Sequence, residues 1–360
     1  MTGMDKKAIM EILRTVRHPG KGDRDIVSLG MVEDVSREGD TVTVNLVFTG
    51  RRDPLADYLS GSVRAALYRQ LPADTQVQVN LRVQEEASRS KKPSVNDLTL
   101  EEVAQVRHIV GVASGKGGVG KSTVAVGLAV ALARLGYRVG LADADVYGPS
   151  VPLMTGTVGM VPDAVAAEDG GPDRILPVEK FGVKWMSIGY FATEGQALIW
   201  RGPMACSALK QMILQVRWGP LDFLLVDMPP GTGDIHISLV QDIPMEGAVI
   251  VTTPQAVALA DAEKGVDMFR NEHIRKRIFG LVENMAWFTP AELPENRYYI
   301  FGRDGGRNLA AKYGIPLLGQ IPLVQGIREC GDAGEPAALG SGPEGEAFLA
   351  LARALAAAAD

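Results

Sequence analysis

The chain has 360 residues, with 37 Lys and Arg against 43 Asp and Glu and a net charge of -6 at pH 7. That balance carries no general electrostatic footprint for nucleic acid, and no apolar run reaches the roughly 18 residues a membrane-spanning helix needs. The N-terminus has no apolar stretch of the secretory kind, and two cysteines, Cys206 and Cys330, suit a reducing cytoplasm better than a disulfide framework. The expectation is a cytoplasmic protein with no membrane and no nucleic-acid partner. Its four histidines, His18, His108, His236 and His273, form no ligand-spaced pair.

Residues 1–85 read as a small α-β-β-α-β domain. The segment DKKAIMEILRTV has helical periodicity. GMVEDVSREGDTVTVNLVF has two alternating runs around Arg37-Glu38-Gly39-Asp40, a hairpin pattern. PLADYLSGSVRAALYRQL is a second amphipathic helix, and TQVQVNLRV alternates as a strand. Residues 86–104 are polar and contain Lys-Lys-Pro, as a linker does.

From residue 105 to 360, strands and helices alternate. HIVGVAS reads as a strand and STVAVGLAVALARLG as a helix closed by Arg134 and Gly136; RVGLADAD is the next strand. Further strands are expected at 223–227, 248–252, 277–282 and 316–321, with helical patterns between them. The α/β class follows: a mostly parallel sheet flanked by helices. The final stretch, GPEGEAFLALARALAAAAD, has one basic residue, Arg353, so it reads as a packing helix rather than one lying on a membrane.

Between the first strand and helix lies GKGGVGKST, residues 115–123. Gly115, four residues, then Gly120-Lys121-Ser122 fits the G-x-x-x-x-G-K-[ST] phosphate loop. Its glycines let backbone N–H groups turn inward onto phosphate oxygens. ATP is the expected ligand, held by Gly115, Lys116, Gly117, Gly118, Val119, Gly120, Lys121, Ser122 and Thr123. Lys121 would reach the phosphates and Ser122 would bind Mg²⁺. FLLVDMPPGTGD ends a strand in Asp227, an acid placed to hold Mg²⁺ through water, and the loop after it can sense a terminal phosphate. Asp143 and Asp145 close a neighbouring strand and can orient water or the metal's water shell. Lys116 is a second lysine, and the phosphate-loop pattern alone does not explain it.

Six motifs in order, GKGGVGKST, DADVYGPS, WRGPM, LLVDMPPGTGD, VTTPQAVALAD and VENM, resemble the Mrp/NBP35 (ApbC-like) branch of the deviant Walker A ATPases over residues 105–340. Residues 1–85, with DIVSLGMV, resemble the MIP18-like (DUF59) domain often fused ahead of them. The resemblance implies a MinD-like P-loop NTPase fold. It also implies a homodimer that couples ATP hydrolysis to iron–sulfur cluster delivery, with assembly proteins and apoprotein clients as partners. By the same resemblance Lys116 reaches the partner subunit's nucleotide as a catalytic cation. Asp145 positions the attacking water, Asp143 supports the metal site, and Asn284 contacts adenine. Two other classes are a MinD- or ParA-like positioning ATPase and a non-catalytic nucleotide-dependent scaffold.

The chain departs from that family at one functional point. Cluster-carrying members have Cys-x-x-Cys shortly after ENM; here Thr289-Pro290-Ala291-Glu292 stands in the gap. In the N-terminal domain, Asp53 precedes Pro54 where related domains often have a cysteine. Cys206 and Cys330 remain. Thiolate is the usual iron–sulfur ligand, so each could serve a [4Fe–4S] cluster; each also suits a buried small apolar position.

Overall fold

The computed structural model describes residues 6–18, 24–48, 56–72, 75–83, 100–166, 173–191, 202–290 and 292–360. The chain divides into two compact units, Met1–Lys92 and Pro93–Asp360.

The first unit runs α1 (Lys6–Leu13), β1 (Val32–Glu38), β2 (Thr41–Phe48), α2 (Ala56–Tyr68) and β3 (Gln76–Val83), the predicted order. β1 pairs antiparallel with β2, and β2 parallel with β3. Alternation along β2 turns Val42, Val44, Leu46 and Phe48 to one face. Helical spacing puts Leu59, Val63 and Leu67 of α2 on one stripe, and these join Ile9 and Leu13 of α1 in the same cluster. Gly39 takes φ 60° in the β1–β2 turn, as hairpin loops require. Asp53 and most of the predicted linker lie outside the described residues.

The second unit opens with a short helix, α3 (Glu101–Ala104), in the last residues of that linker. It continues β4 (Val106–Ala113), α4 (Lys121–Arg134), β5 (Val139–Asp143), α5 (Val151–Met154), β6 (Ala164–Val165), β7 (Arg174–Ile175), β8 (Val178–Lys180) and β9 (Val183–Ser187). Then follow α6 (Gly202–Leu214), β10 (Leu221–Asp227), α7 (Asp234–Asp242), β11 (Gly247–Thr252), α8 (Ala256–Arg270), β12 (Arg277–Glu283), α9 (Gly305–Tyr313), β13 (Leu317–Gln320), α10 (Gln325–Asp332) and α11 (Pro343–Ala359). One sheet has the order β13-β12-β11-β4-β10-β5-β9-β8, parallel throughout except for β8 at its edge. No helix among the described residues is long and apolar enough to cross a membrane.

The β8–β9 hairpin is absent from the sequence reading. Its two-residue turn is Phe181-Gly182, with φ of 55° and 73°. A left-handed Phe is rare, so the turn carries no Asn-Gly or Asp-Gly signature. The ammonium of Lys180 lies 4.7 Å from the centre of the Phe181 ring.

Strand alternation divides the core in two. Val110, Val112, Phe223 and Leu225 face one way with α4 and α11, while Ile109, Leu224 and Val226 face the other way with α6, α7 and α8. α4 is apolar on every side because it lies between the sheet and α11. α11 is the predicted packing helix: Phe348, Leu351, Ala352 and Leu355 are buried.

Phe348 lies against Gly127, where a Cβ would overlap its ring. Gly127→Ala gains about 1 kcal/mol of helix propensity, but overpacking costs about 1–3 kcal/mol. The expected outcome is a net loss in urea unfolding of the full chain, reversed when Phe348→Leu is added. A stabilised Gly127→Ala variant would show that α11 yields without cost.

Candidate nucleotide site

Parallel strands bring their C-terminal ends to one edge, where open α/β sheets bind ligands. β10 pairs with β4 and β5 so that Asp227 lies opposite Val112 and Asp143. The loop after β4 returns as α4, whose first residue is Lys121. Gly118 and Gly120 take φ of 82° and 78°, which only glycine adopts without strain. A Cβ on Gly120 would strike the Asn284 amide, and one on Gly115 the backbone of Asp261. The loop is thus fixed by close backbone approach.

Lys121 is 6% exposed and its Nζ lies 2.5 Å from Asp227 Oδ1, 3.6 Å from Asp145 Oδ2 and 3.3 Å from Ser122 Oγ. Asp227 is fully buried, and its Oδ2 has no hydrogen-bond partner among the described residues. Burial raises the Asp227 carboxyl pKa above the ordinary range, and the Lys121 ammonium opposes that shift. An orphaned carboxylate oxygen at a strand end, beside a phosphate-loop serine, fits the water shell of a divalent cation.

Asp143 differs. Its oxygens accept from Asp145 N at 3.2 Å, Val151 N at 3.3 Å and Ser187 Oγ at 2.8 Å. Burial first, and the nearby Asp227 charge second, push its carboxyl up to about 7. It ties the 144–151 segment to β9 and touches the pocket through that segment. Asp145 lines the phosphate pocket itself. So does Lys116, whose Nζ makes no ion pair among the described residues.

The phosphate pocket, about 200 Å³, adjoins a larger apolar cavity of about 340 Å³; the two share Gly120, Thr123 and Met154. Asn284, Met285, Pro322, Leu323, Val324 and Ile327 line the cavity. Asn284 Nδ2 donates to Val119 O at 2.9 Å. Met285 holds φ of 55°, a strained value for a side chain of its size. A charged end joined to an apolar chamber has the shape of a nucleotide. Asn284, which the family resemblance implied as an adenine contact, lines this cavity, and the wall at 322–327 was absent from the sequence expectations. The available signal was position: this wall follows β13 at the same sheet edge.

The cysteines do not come together. Cys330 packs on the core with α4 and α11, and Cys206 on the core with α6 and α7, so the sheet separates them. Among the described residues no three His, Cys, Asp or Glu side chains group as a metal site. Thr289, Pro290 and Glu292 supply no thiolate, and Ala291 lies outside the described residues.

A family model described as NUBPL iron-transfer P-loop NTPase matches residues 105–356. The chain belongs to that family. A second model, described as iron-sulfur cluster assembly protein, matches residues 6–80. The chain is 43% identical to an iron-sulfur cluster carrier protein of Synechocystis sp., over 96% of this chain and 94% of that one. It is 44% identical to one of Deinococcus radiodurans, over 97% and 94%. Among solved structures, a nucleotide-binding protein of Archaeoglobus fulgidus in complex with ADP is 34% identical with a TM-score of 0.58, over 72% of this chain and 98% of that one. The cell division ATPase MinD of Pyrococcus furiosus, 24% identical with a TM-score of 0.50 over 70% and 99%, shares the fold. The P-loop NTPase family thus matches the unit that contains the pocket.

If the apolar cavity takes the base, Ile327→Trp should fill it. ADP affinity then falls at least about tenfold, roughly 1.4 kcal/mol, while binding of inorganic tripolyphosphate is retained. Calorimetric titration checks this; equal losses for both ligands would place the base elsewhere.

Proposed function

We propose that this chain is a Mg²⁺-dependent ATPase that acts as a cytoplasmic homodimer and passes iron–sulfur clusters to apoprotein clients. The observation that carries the hydrolytic part is the buried Lys121 between Asp227 and Asp145, facing a pocket that opens into an apolar chamber. The backbone of residues 115–123 holds the phosphates, and Lys121 exchanges Asp227 for a phosphate oxygen. Ser122 and Asp227 suit Mg²⁺, which when bound neutralises phosphate charge. Asp145 orients the attacking water and accepts its proton. Asp143 keeps the Asp145 segment in place through Ser187 and Val151.

Lys116 is the candidate for a cation acting across a dimer. It lines the pocket, yet it has no carboxylate within its own chain among the described residues. A cation supplied in trans makes hydrolysis conditional on association, as an arginine finger does. Delivery of clusters is supported by the similarity to iron-sulfur cluster carrier proteins and by the two family models. The cluster is cargo here. A single subunit offers one thiol on each side of its sheet, so the hand-over depends on ligands from a partner protein.

Lys121→Ala should abolish ATP turnover and serves as the baseline. Lys116→Ala and Asp145→Ala should each be inactive alone. Mixed with proven subunit exchange, they form heterodimers with one complete site, and activity returns to roughly a quarter of wild type if the lysine acts in trans. Mixtures that stay inactive would reject the trans role.

Anaerobic reconstitution with iron and sulfide should give a cluster that a chelator strips rapidly, because four thiolate ligands are the usual requirement. Iron counting with wild type, Cys206→Ser, Cys330→Ser and the double variant decides. A chelator-resistant [4Fe–4S] cluster that survives loss of both thiols contradicts the ligand argument.

A further inference from the structure

We propose that His236 is a positioning residue for phosphate transfer, acting through the carbonyl of Pro229 on the Pro-Pro-Gly-Thr-Gly loop. This rests on the hydrolytic reading of the pocket. The loop follows Asp227 and joins β10 to α7. Two backbone donors fix its first half: Met228 N to Val112 O at 3.0 Å and Gly231 N to Ser114 O at 2.9 Å. Between them stand Pro229 and Pro230, which have no N–H to give. That stretch can be held only by what its carbonyls accept.

His236 supplies the donor. It lies on the first turn of α7, 2% exposed, with Nε2 at 2.6 Å from Pro229 O. A carbonyl can only accept, so the hydrogen is on Nε2. Burial lowers the ring's pKa below its ordinary value, which favours the neutral form. His236 N also bonds to Gly233 O at 3.0 Å, so one residue closes the loop at two points.

Pro230 lines the phosphate pocket and packs beside Gly117 of the phosphate loop. The side-chain tie to Pro229 therefore sets where Pro230 sits, and with it the amides of Thr232 and Gly233, since that of Gly231 is already given to Ser114 O. Those amides are the groups of this loop able to meet a terminal phosphate. Gly231, with φ of 98°, permits the turn that aims them. A bond of this kind acts on turnover more than on nucleotide affinity, since the base and the inner phosphates are held by other elements.

The test uses the full chain with His236→Met, which fills the space without a donor, and His236→Gln, whose amide nitrogen lies as far from Cα as Nε2. His236→Met should lower kcat about tenfold, the value of one hydrogen bond, with ADP affinity unchanged. His236→Gln should recover most of that loss. Amide hydrogen exchange of residues 228–234, without nucleotide, should rise in His236→Met and return in His236→Gln. If His236→Met does not fold, His236→Asn, whose amide falls short of Pro229, replaces it. Wild-type kcat in the donor-free variant overturns the proposal, as does a Gln variant no better than Met. If wild type itself hydrolyses no ATP, the hydrolytic reading fails, and unchanged exchange across the variants would then reject the positioning role separately.

Discussion

A buried ammonium against a buried carboxylate governs this molecule. Lys121 and Asp227 meet at 2.5 Å, with Asp227 wholly removed from solvent. Desolvating two such charges costs several kcal/mol per ion even after relaxation, on the order of what their attraction returns. The pair is therefore weak evidence for stability. The orphaned Asp227 Oδ2 adds a further penalty of roughly 1–3 kcal/mol. A phosphate in this pocket would give Lys121 a stronger partner, and Asp227 Oδ2 is placed where a donor from a cation's water shell would satisfy it.

Holding that pair in place requires the rest of the unit. Asp227 is positioned by a register that sets it opposite Val112 and Asp143. Lys121 is positioned by α4, which can be apolar on every side only because α11 covers it from outside. Phe348 enters the notch at Gly127 and also lines the apolar cavity, so the same contact joins core packing to the nucleotide chamber. Asp143 extends the frame to β9 through Ser187.

Most of the phosphate end was legible because its chemistry is local. GKGGVGKST needs glycines at fixed offsets, and Asp227 ends an apolar run, so both declare themselves in one dimension. The wall at 322–327 was illegible because its residues are ordinary apolar ones; only the placing of β13 at the same edge makes them part of a cavity beside the phosphate loop. The β8–β9 hairpin was hidden by a phenylalanine in a turn position that favours glycine or asparagine. That omission concealed the role of Asp143 as well, since Ser187 lies on the missed strand. His236 had looked like an isolated histidine; its contact with Pro229 closes a short loop. The two cysteines were countable from the sequence, but their separation by the sheet depends on which face each helix covers.

That separation shapes what a cluster carrier of this composition can do. Four thiolates on one side of a subunit make a store; one thiol on each side of a sheet does not. The loop after Asn284 is tied down by backbone and ring contacts. Phe288 and Tyr298 exchange backbone hydrogen bonds at 2.8 and 2.9 Å, Leu323 N bonds to Trp287 O at 2.7 Å, and the Arg297 guanidinium lies 4.3 Å from the centre of the Trp287 ring. Glu283 accepts from Gly306 N and from Gln320 Nε2, fixing the loop's far end beside the nucleotide cavity. This loop is thus anchored at both ends next to Asn284, a residue of the cavity wall. Among the described residues the phosphate-loop groups gather at one sheet edge while the two thiols lie on opposite faces of the sheet, so nothing within one subunit brings the thiols together as ligands of one cluster.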